Sequence, residues 1–222
     1  MLALDLLSRR LSRCCAGLFA IGMCAAELRA DFVINPSFES DSLVLDTWVY
    51  SASGWIATGD AGTFRPPSAA YPEGAPSGSN VGFVQSGWAM PTGILEQTTE
   101  IVLQAGMECQ LLAKIGRRVD NPLIPWGGYV MSMYAGDTLL AQDLTESQPD
   151  AGMFVPASLF ITIDAGEEAV GQLLRIRFEA LYGQTNIDDV QVIVTPTPGS
   201  IALIVIGALA LTSSRKRPTP MT

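Results

Sequence analysis

Between Asp31 and Pro198 no stretch of ten or more residues carries the apolar period of an amphipathic helix. The apolar residues come instead in short runs separated by Gly, Pro, Asn and Asp. Leu173–Ala180 alternates cleanly, with Leu174, Ile176, Phe178 and Ala180 on one face. Asn80–Gln85, Gly93–Thr98, Met107–Gly116, Tyr129–Tyr134, Phe154–Ile163 and Asn186–Val194 read as further strands. Gly136-Asp137 signals a hairpin into Thr138–Gln142. Asp31–Ile34 and the two Trp segments around Trp48 and Trp55 complete roughly ten strand signals, which predict an all-β jelly-roll sandwich. Asp60–Asn80, rich in Gly, Pro, Ser and Ala, reads as a long surface loop. Trp48, Trp55 and Phe178 are expected in the core.

The 222 residues divide into three parts. Residues 1–30 read as a signal helix: Arg9, Arg10 and Arg13 precede an apolar run from Cys14 to Ala26, with cleavage expected after Ala30 or Ala26. Residues 31–194 form the β domain, and 195–222 a tail. Export follows as the expected localisation. Between Asp31 and Pro198 there are six Lys and Arg against twenty Asp and Glu, a net charge of −14, where the whole chain has −9. A domain so acidic has no electrostatic attraction to phosphate backbones, so nucleic acid is excluded as a partner. Three of the four cysteines lie in the leader, leaving Cys109 with no partner for a disulfide. The chain has no His, which removes the commonest general base and the commonest zinc ligand.

The tail has a Pro neck (Pro196, Pro198, Gly199), a short apolar helix over 200–214 and a basic end of Arg215, Lys216 and Arg217. This order resembles the PEP-CTERM sorting signal of bacterial exported proteins, with Thr197 where that family usually carries Glu. The resemblance implies a transient membrane anchor, a sorting protease of the exosortase type as partner, and delivery to the cell envelope or the extracellular space.

Two motifs stand at opposite ends of the β domain: Asn35-Pro36-Ser37-Phe38-Glu39 and Thr185-Asn186-Ile187-Asp188-Asp189-Val190. The pair resembles the galactose-binding-like jelly rolls, many of them carbohydrate-binding modules. That resemblance implies that the first and last strands are neighbours. It also implies a structural Ca2+ held by Glu39 and Asp188, with Asp189 close by. Carboxylates and carbonyls are the oxygen donors such an ion takes. Trp88, Trp126, Tyr129 and Tyr71 are the aromatic platforms on which a sugar would stack.

No nucleophile elbow, metal-binding Cys cluster or patterned acid pair is present, so the expectation is a non-catalytic exported protein of the envelope or extracellular matrix. The alternatives are a carbohydrate-binding module for exopolysaccharide and a glycoside hydrolase.

Overall fold

The computed structural model describes residues 32–87, 91–120 and 126–195. The leader, the 195–222 tail beyond Thr195, and Trp88 lie outside the described residues. Eleven strands form two antiparallel sheets facing each other. The six-stranded sheet runs β1 (Thr47–Val49), β3 (Asp60–Arg65), β4 (Val81–Ser86), β11 (Gly183–Thr195), β6 (Glu108–Arg117), β9 (Met153–Thr162). The five-stranded sheet runs β2 (Ile56–Thr58), β5 (Ile94–Val102), β10 (Leu173–Ala180), β7 (Tyr129–Ala135), β8 (Thr138–Leu144). The layout is the expected jelly-roll sandwich, with no helix among the described residues.

Alternation places the core. Ala61, Val84, Ile187, Ile115 and Leu111 point inward from the large sheet. They meet Leu95, Leu174, Ile176, Phe178, Met131 and Met133 from the small one. Each of these side chains larger than Ala contributes about 1.5–3 kcal/mol by leaving water. β10 shows why its pattern was readable: one face lies in the core, while Arg175 and Arg177 on the other are half-buried beside Glu96 and Glu179. Trp55 and Phe178 are buried as expected, 6.1 Å apart between ring centres.

Three expectations are corrected. Trp48 is 52% exposed, because β1 is an edge strand and Trp48 faces away from the partner sheet. Residues 60–65 are an interior strand, not loop: with its Gly and small residues DAGTFR lacks an apolar period, yet every residue through Phe64 is buried. Residues 32–34 form no strand. The Gln97 amide satisfies the Ile34 backbone instead, donating to its carbonyl at 2.9 Å and accepting from its N–H at 2.8 Å.

The first motif is a knot of turns. Asn35 and Phe38 both adopt positive φ, 52° and 61°. Asn35 donates its amide to Ser53 O and accepts from Ser40 N. This drives the Phe38 ring into the core, stacked on Trp55 at 5.4 Å, where it lies against Gly82. A Cβ at Gly82 would come within 2.5 Å of Phe38 Cζ, so this position takes no side chain.

Candidate functional site

Two features stand out, and both belong to the outer face of the six-stranded sheet. The first is the pair of motifs, which the fold brings together. Val190 N–H donates to Pro36 O at 3.0 Å, tying the last strand to the first turn. Glu39 Oε1 accepts from Ser79 N at 2.8 Å and Asn80 N at 2.6 Å. Asp188 Oδ2 accepts from Ser77 N, and its Oδ1 from Asp189 N. Both carboxylates therefore hold the end of the 66–80 loop. Asp188 is wholly buried, and its carboxyl is pushed up to about 7, chiefly by burial, with Asp189 and Glu39 adding repulsion. Asp189 turns the chain through a positive φ of 48° and accepts from Gln191 on the exposed side, so its side chain does not join Glu39 and Asp188. Among the described residues no three His, Cys, Asp or Glu side chains form a group able to hold a metal ion.

The second feature is the face itself. Pairing register sets which side chains share it. One row holds Asp60 of β3, Gln85 of β4 and Gln184 of β11. The next holds Gly62, Phe83, Asn186, Gly116 and Phe154. The third holds Phe64, Val81 and, beyond them, Asp188 opposite Lys114. Phe64, Val81 and Phe83 form a second apolar cluster, separate from the sandwich core, with Phe154 against it. Trp48 stands opposite Phe64 in register, and Tyr50 meets Phe83 edge-on at 6.1 Å. The face thus carries an aromatic platform in which Phe64 and Phe83 are themselves covered, and its outer rim, Trp48 and Tyr50, is the part open to solvent.

Polar groups cross this platform in fixed positions. Arg118 lies over Phe64, its Cζ 4.7 Å from the ring centre. Its guanidinium is clamped by Asp120 in a two-point pair at 2.6 and 2.8 Å and donates to Gln184 Oε1 at 3.1 Å. The guanidinium holds the Asp120 carboxyl below its ordinary range. Tyr71, from the 66–80 loop, donates its hydroxyl to Asn186 Oδ1 at 2.8 Å and packs its ring on Phe154. Burial drives the Tyr71 hydroxyl well above the usual phenol range. Asn186 also donates to Gly82 O at 3.3 Å. Asp60 differs from all of these. It is 6% exposed, its Oδ2 is buried with no hydrogen-bond partner, and burial raises its carboxyl. A cleft of about 310 Å³ flanks the platform, lined by Glu73–Pro76, Lys114 and Gly152–Phe154, so that it holds one acid, one base and one aromatic ring.

The aromatic residues expected to meet a ligand are placed otherwise. Tyr129 is fully buried, because it opens β7 facing the interior, and its hydroxyl donates to Asp143 at 2.7 Å. Tyr71 is buried too, as the pillar of the loop over the platform. Trp126 is half-buried against the core, with Arg117 6.0 Å from its ring. Asp60, Arg118 and Gln184 escaped sequence reading: Asp60 sits in a stretch without period, and the other two become a site only through strand register.

The HpiC1-like family, described as HpiC1 cyclase, matches residues 30–193. The chain belongs to the HpiC1-like cyclase family. Solved structures agree. The Stig cyclase Fisc from Fischerella sp. TAU, in complex with (3Z)-3-(1-methyl-2-pyrrolidinylidene)-3H-indole, is 25% identical with a TM-score of 0.69, over 75% of this chain and 98% of that one. A cyclase from Fischerella sp. TAU in complex with 4-(1H-indol-3-yl)butan-2-one is 26% identical with a TM-score of 0.66, over 74% and 96%. No curated protein matches the sequence. Membership in a cyclase family overturns the expectation of a non-catalytic, sorted envelope protein, and with it the carbohydrate-binding and glycoside-hydrolase alternatives. The sorting protease and exopolysaccharide partners fall for the same reason. The PEP-CTERM resemblance finds no support in these similarities, and its residues Pro196, Pro198, Gly199, Arg215, Lys216 and Arg217 lie outside the described residues. No described helix is long and apolar enough to cross a membrane. The HpiC1-like family was not legible in the motifs, which mark the jelly roll and not the chemistry laid on it.

Proposed function

We propose that this HpiC1-like protein closes a ring within a small aromatic substrate of indole size, on the outer face of its six-stranded sheet. The observation that carries the proposal is the platform of Phe64, Phe83, Trp48 and Tyr50 in a chain of this family. Aromatic faces stabilise positive charge by their quadrupoles, by about 0.5–2 kcal/mol per contact. Ring closure through a cationic carbon develops such charge. Arg118 contributes no net charge, being neutralised by Asp120, and serves as a planar wall. Both Fischerella cyclase structures named above hold an indole compound, and a bicycle of that shape stacks on rings of this kind. The test is calorimetric titration with 4-(1H-indol-3-yl)butan-2-one, followed by incubation with alkenyl indoles and chromatography–mass spectrometry. A product of unchanged mass and altered retention supports the proposal. Absence of both binding and isomerisation across the series refutes it.

Calcium belongs to the same proposal as a structural ion. The donor set fits: a fully buried carboxylate stands by a second acid, and positive φ at Phe38 and Asp189 flanks the pair. Glu39 and Asp188 would hold the ion with backbone carbonyls, and its charge would offset their repulsion. The ion would pin the 66–80 loop, and through Tyr71 the platform beneath it. Export is proposed from the leader; N-terminal sequencing of the mature protein should begin at Asp31 or Glu27.

A further inference from the structure

The cleft beside the platform has no part in the proposed ring closure, yet its walls are held in place. One wall is the 73–76 turn, where Gly74 takes a positive φ of 84° and its N–H donates to Tyr71 O at 3.0 Å. Ser77 N, donating to Asp188, pins the end of that wall. The other wall starts at Gly152, whose N–H donates to Arg117 O at 2.7 Å, and continues through Met153 and Phe154. Gly116, having no side chain, lets the Phe154 ring lie on β6. Lys114 rises from that strand two residues earlier, on the same face by alternation. A volume of about 310 Å³ stands at the lower end of the ~300–1,000 Å³ usual for small-molecule sites, so the ligand it fits is small.

The two charges of the cleft stand without partners. Six Lys and Arg lie between Asp31 and Pro198, and five of them are engaged. Arg65 donates to Leu43 O, and Arg117 stands by the Trp126 ring. Arg118 pairs with Asp120, Arg175 with Glu96 and Asp137, and Arg177 with Glu179. Among the described residues Lys114 is left with no ion pair, hydrogen bond or ring contact, and Glu73 on the first wall has none either. The two are therefore not paired with each other. A simple anion would be drawn to Lys114 but repelled by Glu73 and by a domain of net charge −14. A simple amine would be drawn to Glu73 but repelled by Lys114. A ligand carrying both signs satisfies both groups and adds no net charge. The Phe154 ring and the Met153 thioether favour an aromatic body on that ligand.

We propose that this cleft binds a free α-amino acid with an aromatic side chain. Lys114 Nζ donates to the ligand carboxylate, the ligand ammonium donates to the Glu73 carboxylate, and the ligand ring packs on Phe154 and Met153. This site goes beyond the cyclase reading and does not depend on it.

Full-length wild type, K114Q and E73Q are titrated by calorimetry with L-phenylalanine, phenethylamine and 3-phenylpropanoate, which share one ring and differ in charge. Neither substituted side chain is buried, so both variants should keep the wild-type Tm. Losing one charge-assisted hydrogen bond costs about tenfold in affinity or more. Wild type should therefore bind L-phenylalanine at least ~tenfold tighter than either single-charge compound. K114Q should lose that preference over phenethylamine, and E73Q that over 3-phenylpropanoate. The Lys114 Cε–H and Phe154 ring resonances should shift on adding L-phenylalanine, while those of Trp48 and Tyr50 stay. Phenethylamine or 3-phenylpropanoate binding wild type as tightly as L-phenylalanine overturns the proposal. So do K114Q and E73Q that bind L-phenylalanine as wild type does, shifts at Trp48 and Tyr50 in place of Lys114 and Phe154, or no binding at all. None of these results touches ring closure of an indole, so the cyclase reading stands or falls by its own test.

Discussion

Asp188 holds a carboxyl where water cannot reach it, and the cost depends on its charge. With its pKa raised from about 3.8 to about 7 in the fold, the neutral form favours folding. That contribution is complete below pH ~4 and is lost as pH rises through ~7, at up to ~1.4 kcal/mol per unit. Thermal melts in chelator should therefore show a lower Tm at pH 8 than at pH 5. D188N should flatten that slope. Calcium should raise Tm most at pH 8, where the carboxylate is ionised. A melting temperature indifferent to both pH and calcium would count against a metal at Glu39 and Asp188. Tyr71→Phe leaves Asn186 Oδ1 with only Gln184 at 3.5 Å, and denaturant unfolding should show a loss of about 1–3 kcal/mol. Cys109, buried with its thiol pushed up to about 11, should resist a thiol reagent until the protein unfolds. At this scale the sequence was partly legible. Glu39 and Asp188 could be paired from their motifs, whereas Asp60 had no neighbours in the chain to mark it as anything but a loop acid.

β11 does the most work among the elements. It joins β4 on one side and β6 on the other, and its register slips between Asp188 and Gln191. Before the slip it presents Gln184, Asn186 and Asp188 outward; after it, Val190, Val192 and Val194 return inward. The slip thus lets one strand serve both the site and the core. Neighbouring strands make room with glycines. Gly82→Ala pushes a methyl onto the Phe38 ring and should cost about 1–3 kcal/mol in chemical denaturation. Gly62→Ala meets the backbone of Val49 to Ser51, which cannot swing aside as a ring can, so its loss should exceed that of Gly82→Ala. Equal melts for the two variants would contradict this reading of the packing. Elements with one wet face, such as β10, were readable because their alternation is visible. β3, buried on both faces and built of small residues, was not.

The whole molecule is a sandwich in which the first turn and last strand close on each other. Most pairings join residues far apart in the chain, so folding should be slow, in milliseconds to seconds by stopped-flow fluorescence. By itself the sequence determined the class: without a helical period, and with short alternating runs and turn residues, the chain could bury its apolar side chains only between sheets. It also determined the acidity, which gives no attraction to phosphate backbones, and the two end motifs that signal a jelly roll. Local pattern reaches this far because alternation and turn chemistry act over a few residues. Only the tertiary structure decided that the outer face of one sheet is an aromatic platform. Asp60, Tyr71, Arg118 and Asn186 come from four separate stretches and meet through strand register and a folded-over loop. Which polar atom is left without a partner in such a meeting depends on every neighbour at once, and no local stretch of sequence contains that information.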